Sequence, residues 1–244
     1  MNKCILCLLI MLDVGVATAR EFKPDDYLQA FEHYSFADEE AVRALELAGL
    51  SDAHIFDPLE EYVLQYHGNS DDKDIIRGVM FALEGLSFSG NTQYRAAIEK
   101  AAFEGSHKKV KQAAAQALTA LDQYAVWNPL INPHYNNYRA GYPGVKQRLQ
   151  NMLGSGEDTL MLIAARRVYA ERWFDLALLD TAAQSIEQYY LLVDDDASLD
   201  AMVWLMRATA GSRQRKYQSL LEKVMETTNN PDLRKYARKY LRYF

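Results

Sequence analysis

Apolar residues recur at helical spacing along most of the chain, and the alternating pattern typical of β-strands is nearly absent. The carboxyl-terminal segment shows this best, because Leu233, Ala237, Tyr240 and Phe244 fall on one face of a helix while basic residues occupy the rest of its surface. Only 12 Gly and 6 Pro occur in 244 residues, so few breaks in the helical stretches are expected. The pattern therefore predicts an all-α fold.

Two stretches of the chain repeat one another. Residues 94–121 align with residues 217–244 without a gap, at an offset of 123. Each stretch predicts a helix, a polar turn and a second helix, whose small central residue lets neighbouring helices approach closely. The matched apolar pairs are Ile98 with Leu221, Val110 with Leu233, Ala114 with Ala237, and Leu118 with Leu241.

The same frame extends to other parts of the chain. It fits residues 59–86, residues 145–170 with one residue fewer, residues 174–209 more loosely, and residues 25–50 as a degenerate first copy. This pattern resembles the HEAT-like, armadillo-type α-solenoids over residues 25–244, apart from an insertion at about 122–143. The resemblance implies one domain over residues 20–244, an α-α superhelix of about five to six helix pairs. Such stacked pairs share a core and offer an extended concave face.

The first nineteen residues predict a secretory signal peptide. Lys3 supplies the positive charge, residues 4–12 form an unbroken apolar run, and Ala17-Thr18-Ala19 matches the small-x-small pattern that signal peptidases cleave. The run is too short to span a bilayer, which takes roughly 20 apolar residues. We expect cleavage after Ala19 and export to a bacterial periplasm.

The composition of the remaining chain narrows its chemistry. Both cysteines lie in the predicted signal, so the processed chain would have no disulfide, catalytic thiol or cysteine-bound metal. Residues 213–244 contain nine Lys and Arg against three Asp and Glu, whereas residues 20–212 have a net charge of −12. The basic end is interpreted as a solvated cap of the repeat array, although it also suits an acidic partner. The acidic body suits a basic partner.

One acidic cluster begins like a calcium-binding loop. Oxygen-bearing side chains alternate over residues 194–200, but Leu199 replaces the glycine that such a loop needs and Leu205 replaces its final glutamate. We expect these aspartates to cap the following helix instead. The five histidines include no His-Glu-x-x-His pair, so neither a metal site nor a cofactor is predicted, and no catalytic residue is assigned.

The insertion at about 122–143 is rich in aromatic residues among Asn-Pro and Asn-Asn pairs. Long loops of this kind are often functional, and Tyr and Trp are favoured anchors of protein interfaces. The alternative is that the aromatic side chains fold back between the repeats. The predicted partner-binding residues are Tyr124, Trp127, Tyr135, Tyr138, Arg139 and Tyr142.

These features favour a binding protein over an enzyme. The first hypothesis is an exported, non-catalytic HEAT-like scaffold that binds a protein, for instance an immunity protein that neutralises an antibacterial toxin. The alternatives are a cell-envelope hydrolase or lyase on a helical array and an envelope assembly adaptor. Nucleic acid is not an expected partner after export, and no integral membrane segment is expected after processing.

Overall fold

The computed structural model describes residues 21–32 and 39–244, and these residues form twelve α-helices without a β-strand. The predicted all-α fold is confirmed. The predicted signal peptide lies outside the described residues. The helices are α1 (Pro24–Glu32), α2 (Glu39–Leu45), α3 (Ala53–Tyr66), α4 (Lys73–Phe88), α5 (Arg95–Glu104), α6 (Lys108–Ile131), α7 (Val145–Leu153), α8 (Asp158–Ala170), α9 (Leu176–Tyr189), α10 (Asp196–Gly211), α11 (Gln218–Thr227) and α12 (Pro231–Tyr240).

The spacing of 123 residues extends far beyond the two stretches that the sequence aligns. Helices α3 and α9, α4 and α10, and α5 and α11 differ by 123 in residue number at both ends. One-turn 3-10 helices at Thr92–Tyr94 and Arg215–Tyr217 keep the same spacing, as do the first residues of α6 and α12. The described chain therefore consists of a first half, α1 to α6, and a second half, α7 to α12, with one order of elements.

The packing repeats as well. In the first half α4 packs against α2, α3 and α6, and in the second half α10 packs against α8, α9 and α12. Helix α6 also packs against α7 and so joins the halves. A partly buried polar contact recurs: the Tyr94 hydroxyl donates to Asp57 Oδ1 at 2.8 Å, and the Tyr217 hydroxyl donates to Asp180 Oδ1 at 2.8 Å. The two tyrosine donors are 123 residues apart in the sequence, and so are the two aspartate acceptors.

Side chains cap the amino ends of the matching helices α4 and α10. Asp72 caps α4, and Asp195 caps α10 by accepting from the backbone N–H of Ser198 at 2.8 Å. The predicted capping function of the aspartates before α10 is thereby confirmed. Asn230 caps α12, with Pro231 in its first turn, where a missing N–H costs no hydrogen bond.

Helix α6 differs from the predicted loop. It continues to Ile131, so the predicted insertion is helical over 122–131, and the connecting segment to α7 is confined to residues 132–144. The reason is burial: Tyr124, Trp127 and Ile131 lie at helical spacing and are at most 5% exposed. This burial outweighs the helix-breaking tendency of Pro129, which lies only two residues before the last residue of the helix.

The segment of α6 from 122 to 131, here called the α6 extension, covers the ends of α2 and α4. The Asn128 side chain donates from Nδ2 to the carbonyls of Leu50 at 3.1 Å, Phe88 at 2.9 Å and Ser89 at 2.8 Å. Asn132 adds a bond from its Nδ2 to the carbonyl of Gly49 at 2.9 Å. The extension thus supplies hydrogen-bond donors to carbonyls where other helices have ended.

Candidate binding site

Two of the predicted partner-binding residues belong to the core. Tyr124 is 5% exposed and Trp127 is 4% exposed, and their rings pack edge to face with centroids 5.3 Å apart. Tyr124 also packs edge to face against Phe88 at the end of α4. Their burial corrects the expectation that they present a surface, because an interface anchor must be accessible before its partner arrives.

The other predicted residues lie in the connecting segment of residues 132–144. Tyr135, Tyr138 and Tyr142 are half-buried, whereas Arg139 is exposed, with its guanidinium carbon 5.7 Å from the centre of the Tyr138 ring. Contact between these four residues and a partner stays a prediction.

The connecting segment is fastened to the body of the protein. The Ser51 N–H donates to the carbonyl of Tyr135 at 2.6 Å, and the Arg148 guanidinium donates to the carbonyl of Pro143 at 2.7 Å. The same guanidinium carbon lies 4.8 Å from the centre of the Tyr142 ring and its Nε donates to the carbonyl of Leu47. These contacts favour a structural part for Tyr142.

A pocket of about 910 Å³ lies in the second half, where α8, α10 and α12 end. Its volume falls within the range of about 300–1,000 Å³ that is common for ligand sites. Three arginines come from three different turns, and aromatic side chains line the rest of the wall. The lining residues are Tyr169, Ala170, Arg172, Phe174, Gly211, Arg213, Arg242, Tyr243 and Phe244.

Arg172 and Arg213 have a left-handed backbone, with φ of 54° and 57°, and they are the non-glycine residues with positive φ in the described chain. This conformation costs about 1–2 kcal/mol for a residue with a Cβ. The first half has glycines at both matching positions, Gly49 with φ of 62° and Gly90 with φ of 59°. The backbone turn is therefore shared by the halves, and the arginines are specific to the second half.

The two glycines permit the close approach of the α6 extension. A Cβ on Gly90 would lie 2.4 Å from the backbone nitrogen of Ala125, and a Cβ on Gly49 would lie 2.8 Å from Ile131 Cγ2. The matching arginines each have such a Cβ. A helix cannot approach the second-half surface as closely as the extension approaches the first, and this surface borders the pocket instead.

The positive charges of the pocket arginines have no acidic partner among the described residues. Arg172, Arg213 and Arg242 form no ion pair with any residue that the structure describes. The carboxyl ends of three helices lie nearby, and their partial negative charge favours arginine there. This charge does not provide hydrogen-bond acceptors for the N–H donors of the guanidinium groups. The sequence shows the basic excess of residues 213–244 but does not by itself reveal the pocket. The signal that could have found it is the match of Arg172 and Arg213 with Gly49 and Gly90 at the offset of 123.

A fourth arginine lies behind the pocket wall. The Arg207 guanidinium carbon is 4.5 Å from the ring centres of both Tyr169 and Trp204, and these rings pack edge to face. Its Nε is buried without a hydrogen-bond partner among the described residues. This arrangement fixes the Tyr169 ring in the pocket wall by cation–π contact.

The matching positions in the first half hold two carboxylates. Glu46 matches Tyr169 and Glu84 matches Arg207 at the offset of 123. Burial raises the pKa of Glu46, and the charge of Glu84 raises it further. Burial also raises the pKa of Glu84, while the guanidinium of Arg43 opposes the increase. At these two positions the first half therefore has two acidic groups where the second half has a tyrosine and an arginine.

Comparison with protein-family models, curated proteins and solved structures found no match to this chain. None of the described helices combines the length and apolar character needed to cross a membrane.

Proposed function

We propose that this protein binds a protein partner through the second-half pocket and acts as a scaffold or inhibitor instead of a catalyst. The observation that supports this most is the pair of arginines at positive φ, unpaired in charge, in a pocket whose first-half equivalent has glycines. Backbone strain of this kind persists where the surrounding structure enforces it, and it concentrates at ligand-binding positions. The helix carboxyl ends favour arginine at both turns, but a solvated cap does not require it there.

The chemistry of the pocket suits an acidic partner. Arginine remains charged at every physiological pH and binds carboxylates through two parallel hydrogen bonds, which gives geometric selectivity as well as attraction. Aromatic side chains such as Phe174 and Tyr243 supply apolar contact area beside the charges. Arginine together with aromatic residues is the composition that dominates the energetics of protein interfaces.

Export from the cytoplasm is part of the same proposal. A signal peptide over residues 1–19 and a cysteine-free remainder support an exported protein, for which neutralising a secreted antibacterial toxin is one concrete task. Assembly of envelope components is the competing task. Mass spectrometry of the processed chain tests the export step, since we expect a first residue of Arg20. An intact amino terminus on cytoplasmic protein would overturn it.

Affinity capture from an envelope extract tests binding at the pocket. The bait is the processed chain, compared with the variant Arg172→Gly/Arg213→Gly. This variant introduces the residues that the first half already has, so it should fold. The matched control, Lys235→Ala/Arg238→Ala, removes two exposed positive charges of α12 outside the pocket lining.

We expect a partner that the wild type and the control retain and the double glycine variant loses. Purified, it should bind the wild type at least about 10-fold more tightly than the variant, which corresponds to loss of at least one charged hydrogen-bond pair. A partner retained equally by all three proteins would overturn binding at this pocket. Loss with Arg139→Ala/Tyr138→Ala instead would move the interface to the connecting segment.

A further inference from the structure

The first half contains its own example of what a surface of this type binds. There, the ends of α2 and α4 are covered by the α6 extension, which is a helix. Its Asn128 donates one side-chain amide to three carbonyls, those of Leu50, Phe88 and Ser89. A helix therefore covers this surface, and its amide side chain donates hydrogen bonds to backbone carbonyls that follow or end two other helices.

The matching carbonyls in the second half have no such donor. They belong to Trp173, Gly211 and Ser212, each 123 residues after its first-half equivalent, and they accept no hydrogen bond from a described residue. Beside them, the arginines replace the two glycines that allow direct helix contact. An occupant must therefore lie further out and bridge the distance with side chains that suit guanidinium groups.

From this we infer that a helix of the partner protein occupies the second-half pocket, with carboxylates toward Arg172 and Arg213 and an amide side chain toward the free carbonyls. This inference rests on the proposed function and specifies its ligand: an acidic amphipathic helix whose apolar face meets Phe174 and Tyr243. The helix takes the position that the α6 extension takes in the first half. Arg242 adds a third positive group at the rim.

The charge pattern favours a helix of a different protein over a second copy of this one. The α6 extension, which would be the natural segment to exchange between copies, has one acidic residue, Asp122, and that residue is already paired with Arg95. Its Tyr124, Trp127 and Ile131 side chains are buried in the first half. An occupant with several free carboxylates fits the three arginines better.

A display selection with helical peptides tests the inference without knowledge of the partner. The probe is a library of 14-residue peptides on a helical frame, randomised over charged, amide and apolar residues, and selected on the processed wild-type chain. Selected peptides are then measured by fluorescence anisotropy against the wild type, Arg172→Gly/Arg213→Gly and Lys235→Ala/Arg238→Ala.

We expect enrichment of Asp and Glu on one helix face and of an amide residue next to it. These peptides should lose at least about 10-fold in affinity with the double glycine variant, should weaken with added salt, and should bind the α12 control as well as the wild type. Replacing their carboxylates by amides should cause a comparable loss.

Peptides without carboxylates, peptides that bind the double glycine variant equally well, or a selection without pocket-dependent binders would each overturn the helix inference. The outcome is separable from that of the proposed function. A native partner that depends on Arg172 and Arg213 but contacts them through an extended or loop segment would leave the proposed function standing and the helix inference refuted. Cross-linking of that partner to the pocket, followed by mass spectrometry, identifies the segment.

Discussion

In the first half of the molecule, α6 continues to Ile131 and buries the ends of α2 and α4, whereas in the second half α12 ends at Tyr240 and the ends of α8 and α10 border a pocket. Helices α3, α4 and α5 have the same bounds as α9, α10 and α11 at a spacing of 123. The halves differ at a few positions that control access, chiefly Gly49 and Gly90 against Arg172 and Arg213.

This difference shows how one scaffold can serve stability in one place and binding in another. A glycine in a left-handed turn is cheap and allows a helix to lie against the backbone. An arginine in the same turn costs strain and keeps a helix at a distance, but it offers a planar charged group at a fixed place. The predictions below test whether the first half is closed for stability and the second open for binding.

Removal of the central side chain of the α6 extension should have the largest effect. Trp127→Ala empties a core site and should lower the free energy of unfolding by about 3–5 kcal/mol. Its neighbour Val126 is 58% exposed, so Val126→Ala should change stability by less than about 0.5 kcal/mol. Denaturant titration measures both. Similar small losses for the two variants would mean that the extension does not seal the first half.

Exchange of the turn residues comes next. Gly90→Ala must place a Cβ 2.4 Å from the Ala125 nitrogen in a left-handed turn, so strain and crowding together should cost about 2–4 kcal/mol. Arg213→Gly, at the matching position, relieves strain and should raise stability by up to about 1 kcal/mol. Thermal melts of both variants give the signs. A large loss of stability with Arg213→Gly would show that its side chain packs structurally.

The sequence predicted helices and the cap of α10 because these depend on local apolar spacing and on residues such as Asp195. It did not predict the α6 extension, since Asn128-Pro129 is typical of a loop and only tertiary burial of Trp127 keeps this segment helical. The full duplication was also missed. Beyond residues 94–121 the halves share backbone turns more than residue types, as Gly90 and Arg213 illustrate.

The tyrosine–aspartate hydrogen bond allows a matched test of the two halves. Among the described residues, Tyr94→Phe leaves Asp57 with a long contact from Gln93 Nε2 at 3.4 Å, and should cost about 1–2 kcal/mol. Tyr217→Phe leaves Asp180 with Lys216 at 2.6 Å and should cost less, about 0.5–1 kcal/mol.

A double-mutant cycle with Asp57→Asn and Asp180→Asn measures the coupling directly. Hydrogen bonds from Lys216 and then Tyr217 lower the pKa of Asp180. Asp180 should therefore stay ionised, and accept from Tyr217 as a carboxylate, to a lower pH than a carboxylate without these donors. Equal losses for Tyr94→Phe and Tyr217→Phe would mean that Lys216 does not compensate and that the halves are alike at this contact.

The smallest effect should come from the carboxylates that the second half lacks. Burial and then the charge of Glu84 raise the pKa of Glu46 above its ordinary value of 4.5. Because the folded-state pKa is the higher one, the protonated carboxyl favours folding. That contribution is complete below pH 4.5 and is lost as the pH rises through the folded-state value.

Glu46→Gln should therefore raise the melting temperature at pH 7 and leave it nearly unchanged at about pH 4 or below. Glu40→Gln, at an exposed site on α2, the helix that ends just before Glu46, is the control and should show no such difference. A Glu46→Gln variant that is less stable at pH 7 would show that the ionised carboxylate has a favourable partner, with Arg43, whose charge lowers the Glu46 pKa, as the candidate.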